Sequence, residues 1–198
     1  MRRIGTVVLL QVQRASLKIA APSGNRNDRR YDPLPLLPVE VLDVDTDGVT
    51  GIFPSRTRVI DVHNRRHLDS KNNAHTNDIS VGFTTHYVAM RDRFGPHMTT
   101  GIAGENVLVA GHELFTDGKL GQRLVFMSTL EPNLVIDNPR QAEPCLAFSR
   151  WALNMATLEP TDPSIVNTLR FLRNGMRGYY ASCLTAGSVR IGDEVFLD

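Results

Sequence analysis

The chain has 198 residues, and 22 lysines and arginines balance 21 aspartates and glutamates, which leaves a formal net charge of +1. This balance excludes the strong cationic field that is typical of nucleic-acid-binding and membrane-surface proteins. The hydrophobic fraction of 41% is that of a globular protein. The length predicts one domain over residues 1–198, with a core large enough to fold without disulfides.

The cysteine content and the apolar runs indicate where the protein works. Two cysteines are too few for a disulfide framework, and no Cys/His cluster has the spacing of a zinc site. The apolar run at residues 4–10 is followed at once by polar residues, so it predicts a first strand rather than a signal peptide. No segment reaches the roughly 18 apolar residues of a membrane span. We expect a cytoplasmic protein that binds neither nucleic acid nor membranes.

The first part of the chain predicts strands and loops. Alternating apolar residues indicate β structure over residues 4–19, and four prolines with a basic cluster indicate a surface loop over residues 22–38. Extended stretches follow at residues 38–43 and 58–63. A polar loop over residues 64–77 comes next.

The second part alternates helical and extended patterns. Helical periodicity predicts α-helices over residues 84–94, 145–155 and 164–173, with Thr84 and Ser164 as N-caps of the first and third. Gly175 lies where a C-terminal glycine belongs. Strand-like runs lie at residues 105–110, 123–127, 134–136, 180–184, 189–191 and 195–197. Short strands with glycine-rich turns predict a mainly β fold, a sandwich or barrel with peripheral helices.

Cys145 is the first candidate for chemistry. Pro144 suits the first turn of a helix, so the cysteine is expected at or near a helix N-terminus. Free N–H groups there stabilise a thiolate, the form that binds soft metals or carries a sulfane sulfur. Spacing alone favours the alternative that Cys145 is a small buried hydrophobe. Cys183, in the middle of a strand, is expected to be buried and inert.

Three further segments carry weaker signals. The glycine loop at residues 101–106 enters a strand and could cradle an anion, although a plain turn is more common. His63 and His67 have a spacing that suits metal ligands on a helix, but the polar segment around them favours a solvated loop. Arg177 beside two tyrosines could hold a phosphate against an aromatic wall, or form a salt bridge at the start of a strand.

In this order, the motifs resemble the MOSC domain, the module named for the C-terminal part of molybdenum-cofactor sulfurase. The matching features are Gly104-Glu105-Asn106 before a hydrophobic strand, then Pro144-Cys145, then Arg177-Gly-Tyr-Tyr180. A Gly-x-Val-x-x-Gly-Asp pattern closes the series at residues 187–193. The resemblance covers roughly residues 39–198 and is to the stand-alone bacterial type.

The resemblance implies a closed, mostly antiparallel β-barrel that binds the molybdenum cofactor, molybdopterin. By position, Cys145 is the catalytic residue, which carries a sulfur or ligates molybdenum. The residues that would surround the cofactor are Gly104, Glu105, Asn106, Arg140, Arg177, Tyr179, His63 and His67. The implied partners are the pterin and either a cysteine desulfurase or a separate electron-donor protein. The family also carries an association with pyridoxal phosphate.

One element of the family pattern is missing as such. The usual Gly-Asp-x-His after the second strand is replaced by a longer insert that contains Asp61, His63 and His67. These residues substitute for it, or that part of the site differs. Three functions stay open: a cofactor-dependent reductase of N-oxygenated compounds or a sulfur carrier, persulfide transfer without a bound metal, and a non-enzymatic binding module that kept the barrel.

Overall fold

A computed structural model of the chain describes residues 1–70, 72, 76–116, 120–128, 133–155 and 159–198. The α-helices in these residues are α1 (Thr84–Phe94), α2 (Leu146–Ala152) and α3 (Pro163–Phe171). The strands are β1 (Arg2–Gln13), β2 (Lys18–Ile19), β3 (Arg30–Tyr31), β4 (Leu36–Pro38), β5 (Val41–Asp45), β6 (Gly48–Ile52), β7 (Arg58–Ile60), β8 (Ile79–Phe83), β9 (Val107–Ala110), β10 (Arg123–Met127), β11 (Leu134–Gln141), β12 (Tyr179–Thr185), β13 (Gly187–Arg190) and β14 (Glu194–Leu197).

Seven of the strands close into a barrel in the order β14-β10-β11-β12-β8-β9-β1, and β1 returns to pair with β14. All neighbours in the ring are antiparallel except β8 and β9, which are parallel. A parallel pair needs a crossover connection, and α1 lies on it. The predicted mainly β fold with a closed, mostly antiparallel barrel and peripheral helices is therefore confirmed.

Two smaller sheets flank the barrel. Strands β13, β5, β6 and β7 form an antiparallel sheet in that order. Strands β2 and β3 form a two-residue ribbon, in which Lys18 lies opposite Tyr31. Strand β3 of this ribbon and strand β4 both lie within residues 22–38, where the sequence predicted a loop. The loop prediction is therefore wrong for these two strands. Their pairing with β2 and β1 is long-range, and local proline content does not reveal it.

The hydrophobic core has two parts. The larger fills the barrel with alternate side chains of its strands, and all five residues of β8 are buried because neighbouring strands and α1 cover both faces. The second part lies beneath the helices and includes Tyr87, Met90, Phe148 and Leu172. This second core supports one wall of the cavity described below. None of the helices in the described residues is long and apolar enough to cross a membrane.

The helix ends differ from the predicted ones in detail. Helix α1 has the predicted bounds, but its N-cap is Phe83 and Thr84 makes no capping bond. Helix α3 is capped by Asp162, whose carboxylate accepts a 2.8 Å hydrogen bond from the N–H of Ser164. The prediction of Ser164 as the cap is therefore wrong, because Pro163 takes the first helical position.

Candidate functional site

A cavity of about 500 Å³ opens between the barrel wall, the β2–β3 ribbon and the start of α2. Its lining includes Cys145, Arg177, His63 and Tyr180, which come from three separate segments of the chain. The volume falls in the range of small-molecule and cofactor sites. The fold therefore gathers a thiol, a guanidinium, an imidazole and a phenol around one space.

Cys145 is the N-cap residue of α2. Its backbone is extended, at φ −121° and ψ 152°, and its carbonyl accepts a 3.0 Å hydrogen bond from the N–H of Ser149. The side chain makes no capping hydrogen bond and is half-buried at the cavity wall. The position of Cys145 at a helix N-terminus is as predicted, but Pro144 precedes the N-cap and does not lie in the first helical turn. The thiol is thus available to a ligand in the cavity.

Arg177 is half-buried and supplies a cation to the cavity. Its guanidinium carbon lies 3.9 Å from the centroid of the Phe148 ring, a cation–π contact. Burial opposes the charged form, but the nearby Tyr31, Cys145 and Glu105 raise the pKa of Arg177 above its ordinary value. Its Nε and Nη1 atoms are buried and have no hydrogen-bond partner within the described residues. A charged group left in this state is costly, so the guanidinium points to an anionic ligand.

His63 lines the cavity and is held by a buried carboxylate. Asp61 Oδ1 accepts a 2.8 Å bond from the backbone N–H of His63 and lies 3.0 Å from its Nδ1. Asp61 Oδ2 accepts bonds from the N–H of Gln13 at 2.7 Å and from Asn106 Nδ2 at 2.9 Å. Burial alone would raise the pKa of Asp61, but these hydrogen bonds lower it below the ordinary value. Because Nδ1 is committed to Asp61, Nε2 is the ring nitrogen that remains for a ligand.

The protein-family comparison decides the identity of this barrel. The family model of the MOSC domain matches residues 69–196. The chain belongs to the MOSC domain family. Among curated proteins nothing matches it.

The comparison with solved structures finds similar chains at low sequence identity. The chain is similar to a hypothetical protein of known structure, with 12% identity, a TM-score of 0.55, and coverage of 98% of this chain and 68% of that chain. It is also similar to the YuaD protein from Bacillus subtilis, with 18% identity, a TM-score of 0.49 and 97% coverage of both chains. YiiM from Escherichia coli shares 12% identity at a TM-score of 0.49, over 82% of this chain and 64% of that chain. At 12% identity the match to the hypothetical protein concerns the fold alone.

The insert that replaces the Gly-Asp-x-His pattern contains an Asp-x-His sequence, Asp61-Val62-His63. His63 lines the cavity and the fully buried Asp61 lies behind it, with Ile60 where the family pattern has glycine. The alternation at residues 58–63 predicts a strand over this element, but β7 ends at Ile60. Two N–H groups bind the Asp61 carboxylate and turn the chain there. A search for Asp-x-His without the preceding glycine would have found the element.

His67, in contrast, does not line the cavity. Its Nε2 lies 3.2 Å from the carbonyl of Arg14, and its Nδ1 accepts a 3.1 Å bond from the N–H of Asp69. Both ring nitrogens therefore hold the loop together. The two histidines are not on a helix, so their spacing does not bring them to one ligand.

The Gly-Glu-Asn motif of the MOSC family lies behind the cavity wall rather than at its surface. Gly104 has φ +97°, and a Cβ there would lie 2.6 Å from Leu17 Cδ1. Its carbonyl accepts a 2.7 Å bond from Gln13 Nε2. The neighbouring Ala103, not Gly104, lines the cavity. The glycine is required by close packing, which explains the residue type without a bound anion.

Asn106 and Glu105 are buried supports of the site. Asn106 Oδ1 accepts bonds from the N–H and the hydroxyl of Ser80 at 3.0 and 2.8 Å, while its Nδ2 holds Asp61. Glu105 Oε2 accepts a 2.5 Å bond from the Tyr87 hydroxyl. Burial raises the pKa of Glu105, and the opposing effects of Arg177 and Tyr87 do not offset it. The motif thus ties β8, β9 and the Asp61 carboxylate into one network.

Arg140 and Tyr179 point away from the cavity. Arg140 is exposed on β11, where its Nη2 donates to the carbonyl of Thr76 and, at 3.0 Å, to Asn77 Oδ1. Tyr179 donates from its hydroxyl to the carbonyl of Phe115 at 3.1 Å. Side chains alternate along a strand, so Tyr180, the next residue of β12, faces the cavity instead.

Tyr31 is a cavity residue that the sequence did not single out. Its hydroxyl donates a 2.6 Å bond to the carbonyl of Ile102, and its ring packs edge-on against Phe148 at 4.9 Å. It lies inside the stretch predicted as a loop. Arg29 and Tyr31 are two residues apart, and in an extended chain this spacing places both side chains on the same face. That spacing was the sequence signal for Tyr31.

Proposed function

We propose that this MOSC protein binds the molybdenum cofactor in the cavity through Cys145 and acts as a reductase of N-oxygenated compounds or as a carrier of activated sulfur. One observation carries the proposal. A half-buried thiol and a guanidinium with two buried, unpartnered nitrogen atoms lie at the same cavity. A soft metal and an anionic group are the ligands that such a pair accepts.

The donor set fits this cofactor in one further respect. Among the residues that the structure describes, no group of three His, Cys, Asp or Glu side chains is placed to hold a metal ion. A bare ion would therefore find too few protein ligands here. A metal that arrives with its own sulfur ligands, as it does in molybdopterin, needs only one thiolate from the protein.

Each residue of the cavity would then have a distinct task. Cys145 would hold the metal, and Arg177 would neutralise an anionic part of the pterin. When bound, the cofactor supplies the electron-transfer chemistry that reduces an N–O bond. His63 would accept a hydrogen bond at Nε2, the nitrogen that Asp61 leaves available. Tyr31 and Val62 would exclude water from the inner end.

The test is the content of the purified protein. The chain is expressed in a host that makes the cofactor, and molybdenum is measured by elemental analysis and pterin by its fluorescence after oxidation. We expect both in the wild type and in Cys183→Ala, and loss of molybdenum in Cys145→Ala. Wild-type protein that contains neither molybdenum nor pterin would contradict the proposal.

Persulfide transfer without a metal is the second candidate. The Cys145 thiol at the start of α2 and the Arg177 guanidinium line the same cavity, so a sulfur carried on Cys145 would lie near a positive charge. Mass spectrometry after incubation with a cysteine desulfurase and cysteine would show one added sulfur on Cys145 and none in Cys145→Ala. An unchanged mass of the wild type would refute it.

The proposed partners and compartment follow from the chemistry. As a reductase, the protein would receive electrons from a separate donor protein, and as a carrier it would receive sulfur from the desulfurase. Cys145 and Cys183 are both free thiols. Free thiols fit a reducing compartment, and the cytoplasm is therefore the compartment that we propose.

A further inference from the structure

The β2–β3 ribbon presents two cations, Lys18 and Arg29, to the mouth of the cavity. We use this term for the solvent-facing rim that also includes Asp69 and Glu143. Lys18 lies directly opposite Tyr31 in the ribbon. Opposed residues of an antiparallel pair share a face, and so do residues two apart in an extended chain. Arg29 is extended and lies two residues before Tyr31, so all three side chains share the face that lines the cavity. Arg30, one residue on, lies on the opposite face and is exposed.

The ribbon is anchored on both sides, so these cations have a defined place. The Tyr31 hydroxyl donates to the carbonyl of Ile102, and the N–H of Asp32 donates to the carbonyl of Leu17 at 2.9 Å. At the turn before β3, Arg150 Nη1 donates to the carbonyl of Asn27. The ribbon is thus fixed to the barrel and to α2, and not free to turn away from the mouth.

The charges at the mouth are unequal. Within the described residues neither Lys18 nor Arg29 forms an ion pair. Of the two carboxylates at the mouth, Glu143 lies 3.4 Å from Arg173, and Asp69 is the other. Two cations without ion pairs therefore face one carboxylate without an ion pair. The mouth attracts an anion.

We propose that Lys18 and Arg29 recognise the substrate, and that the substrate is an N-oxygenated compound with a carboxylate or phosphate at the end remote from its N–O group. This inference rests on the proposed function. Arg177 already provides an inner cation for the cofactor. Lys18 is exposed and Arg29 half-buried, so they meet the molecule that enters from solvent. A substrate that reaches Cys145 with its N–O group keeps its other end at the mouth.

The experiment compares two substrates in three proteins. The substrates are an aryl N-hydroxyamidine with a neutral ring and the same compound with a carboxylate on the ring. The proteins are the wild type, the double variant Lys18→Met/Arg29→Gln, and Arg30→Gln as the matched control on the other face of the ribbon. All three are assayed as cofactor-loaded protein, with chemically reduced methyl viologen as the source of the two electrons that each turnover consumes. Their molybdenum and pterin contents are measured as well.

We expect the double variant to raise KM for the carboxylated substrate about tenfold, the loss that charge-assisted hydrogen bonds produce. KM for the neutral substrate, kcat, and the contents of molybdenum and pterin stay as in the wild type. Arg30→Gln changes none of these values. An equal rise of KM for both substrates, or the same rise in Arg30→Gln, overturns the proposal. A fall of pterin content in the double variant also overturns it, because the mouth cations would then serve the cofactor.

A binding measurement separates this inference from the proposed function. Isothermal titration with the matching aryl carboxylate, which has no N–O group, reports the anion site without turnover. Binding that is weakened in the double variant and kept in Arg30→Gln supports the site even in protein that contains no molybdenum. Equal binding by all three proteins refutes it, whatever their cofactor content.

Discussion

His86 makes the stability of the barrel depend on pH. Its side chain is buried, its Nε2 donates a 2.7 Å hydrogen bond to the carbonyl of Phe115, and its ring packs against Phe83 at 5.3 Å. Nδ1 is buried and has no hydrogen-bond partner within the described residues. Burial lowers the pKa of His86 from 6.5 to about 4, and the bond to Phe115 only partly opposes it.

The sign and size follow from the two pKa values. The unfolded chain takes up a proton as the pH falls below 6.5, while folded His86 stays neutral down to about 4. The unfolded state therefore binds more protons in this window, and the free energy of unfolding falls as the pH falls. Relative to neutral pH, His86 alone lowers the free energy of unfolding by about 1.4 kcal/mol near pH 5.5 and by about 2.5 kcal/mol near pH 4.5.

The assay is urea unfolding, followed by far-UV circular dichroism, of the wild type and of His86→Gln at a series of pH values from about 7.5 to about 4.5. Glutamine keeps an N–H donor for Phe115 but does not titrate. We expect His86→Gln to be less stable near neutral pH and to lose less stability than the wild type on acidification, by the amounts above. All other titrating groups are common to both proteins. Parallel pH profiles for the two would refute the reasoning.

Three further results are expected. Iodoacetamide will modify Cys145 but not Cys183 in the native protein, because burial and the nearby Asp78 raise the pKa of the Cys183 thiol to about 11. Peptide mass spectrometry checks this prediction, and an adduct on Cys183 in the native protein would contradict it. In Asp61→Asn the new side-chain NH2 group would face backbone N–H groups that need an acceptor. We expect urea unfolding to show a loss of about 2–4 kcal/mol in the free energy of unfolding, and an unchanged stability would contradict the role of Asp61 as the acceptor of these bonds. Gly178→Ala, with φ +73° and its new Cβ 2.6 Å from the Val81 carbonyl oxygen, should cost about 3 kcal/mol or more. Gly24→Ala, at φ +69° in open space, should cost about 1 kcal/mol, and equal losses would exclude the steric explanation.

Local patterns predicted the elements that local forces determine. Helix α1 has the predicted bounds because its periodicity and the glycine at its end act within a few residues of each other. Cys145 lies at the start of α2 as predicted, although Pro144 precedes the N-cap and is not in the first helical turn. The prediction of a barrel rested on the number of short strands. This number indicates a mainly β fold, but it does not show which strands are neighbours in the sheet.

The parts that the sequence did not reveal depend on contacts between distant residues. Tyr31 enters the site through a two-residue ribbon whose partner lies across a loop, and the composition of residues 22–38 hides it. Asp61 ends β7 because N–H groups of Gln13 and His63 bind its carboxylate, and Gln13 is distant in the chain. Tyr180 rather than Tyr179 faces the cavity because of the register of β12. A shift of the strand register by one residue moves every side chain to the opposite face, and the sequence motif alone does not reveal the register.

The pairing of β1 with β14 has a consequence for synthesis of the protein. Arg2 lies opposite Leu197, so the ring of strands closes between the first and last strands of the domain. On the ribosome, β1 and β10 keep an open edge until residues 194–197 have emerged, and an open edge can pair with a neighbouring chain. Folding of the barrel is thus completed after translation of nearly the whole domain. A circular permutant that joins the two ends would bring β14 and β1 out of the ribosome together and shorten this exposed interval.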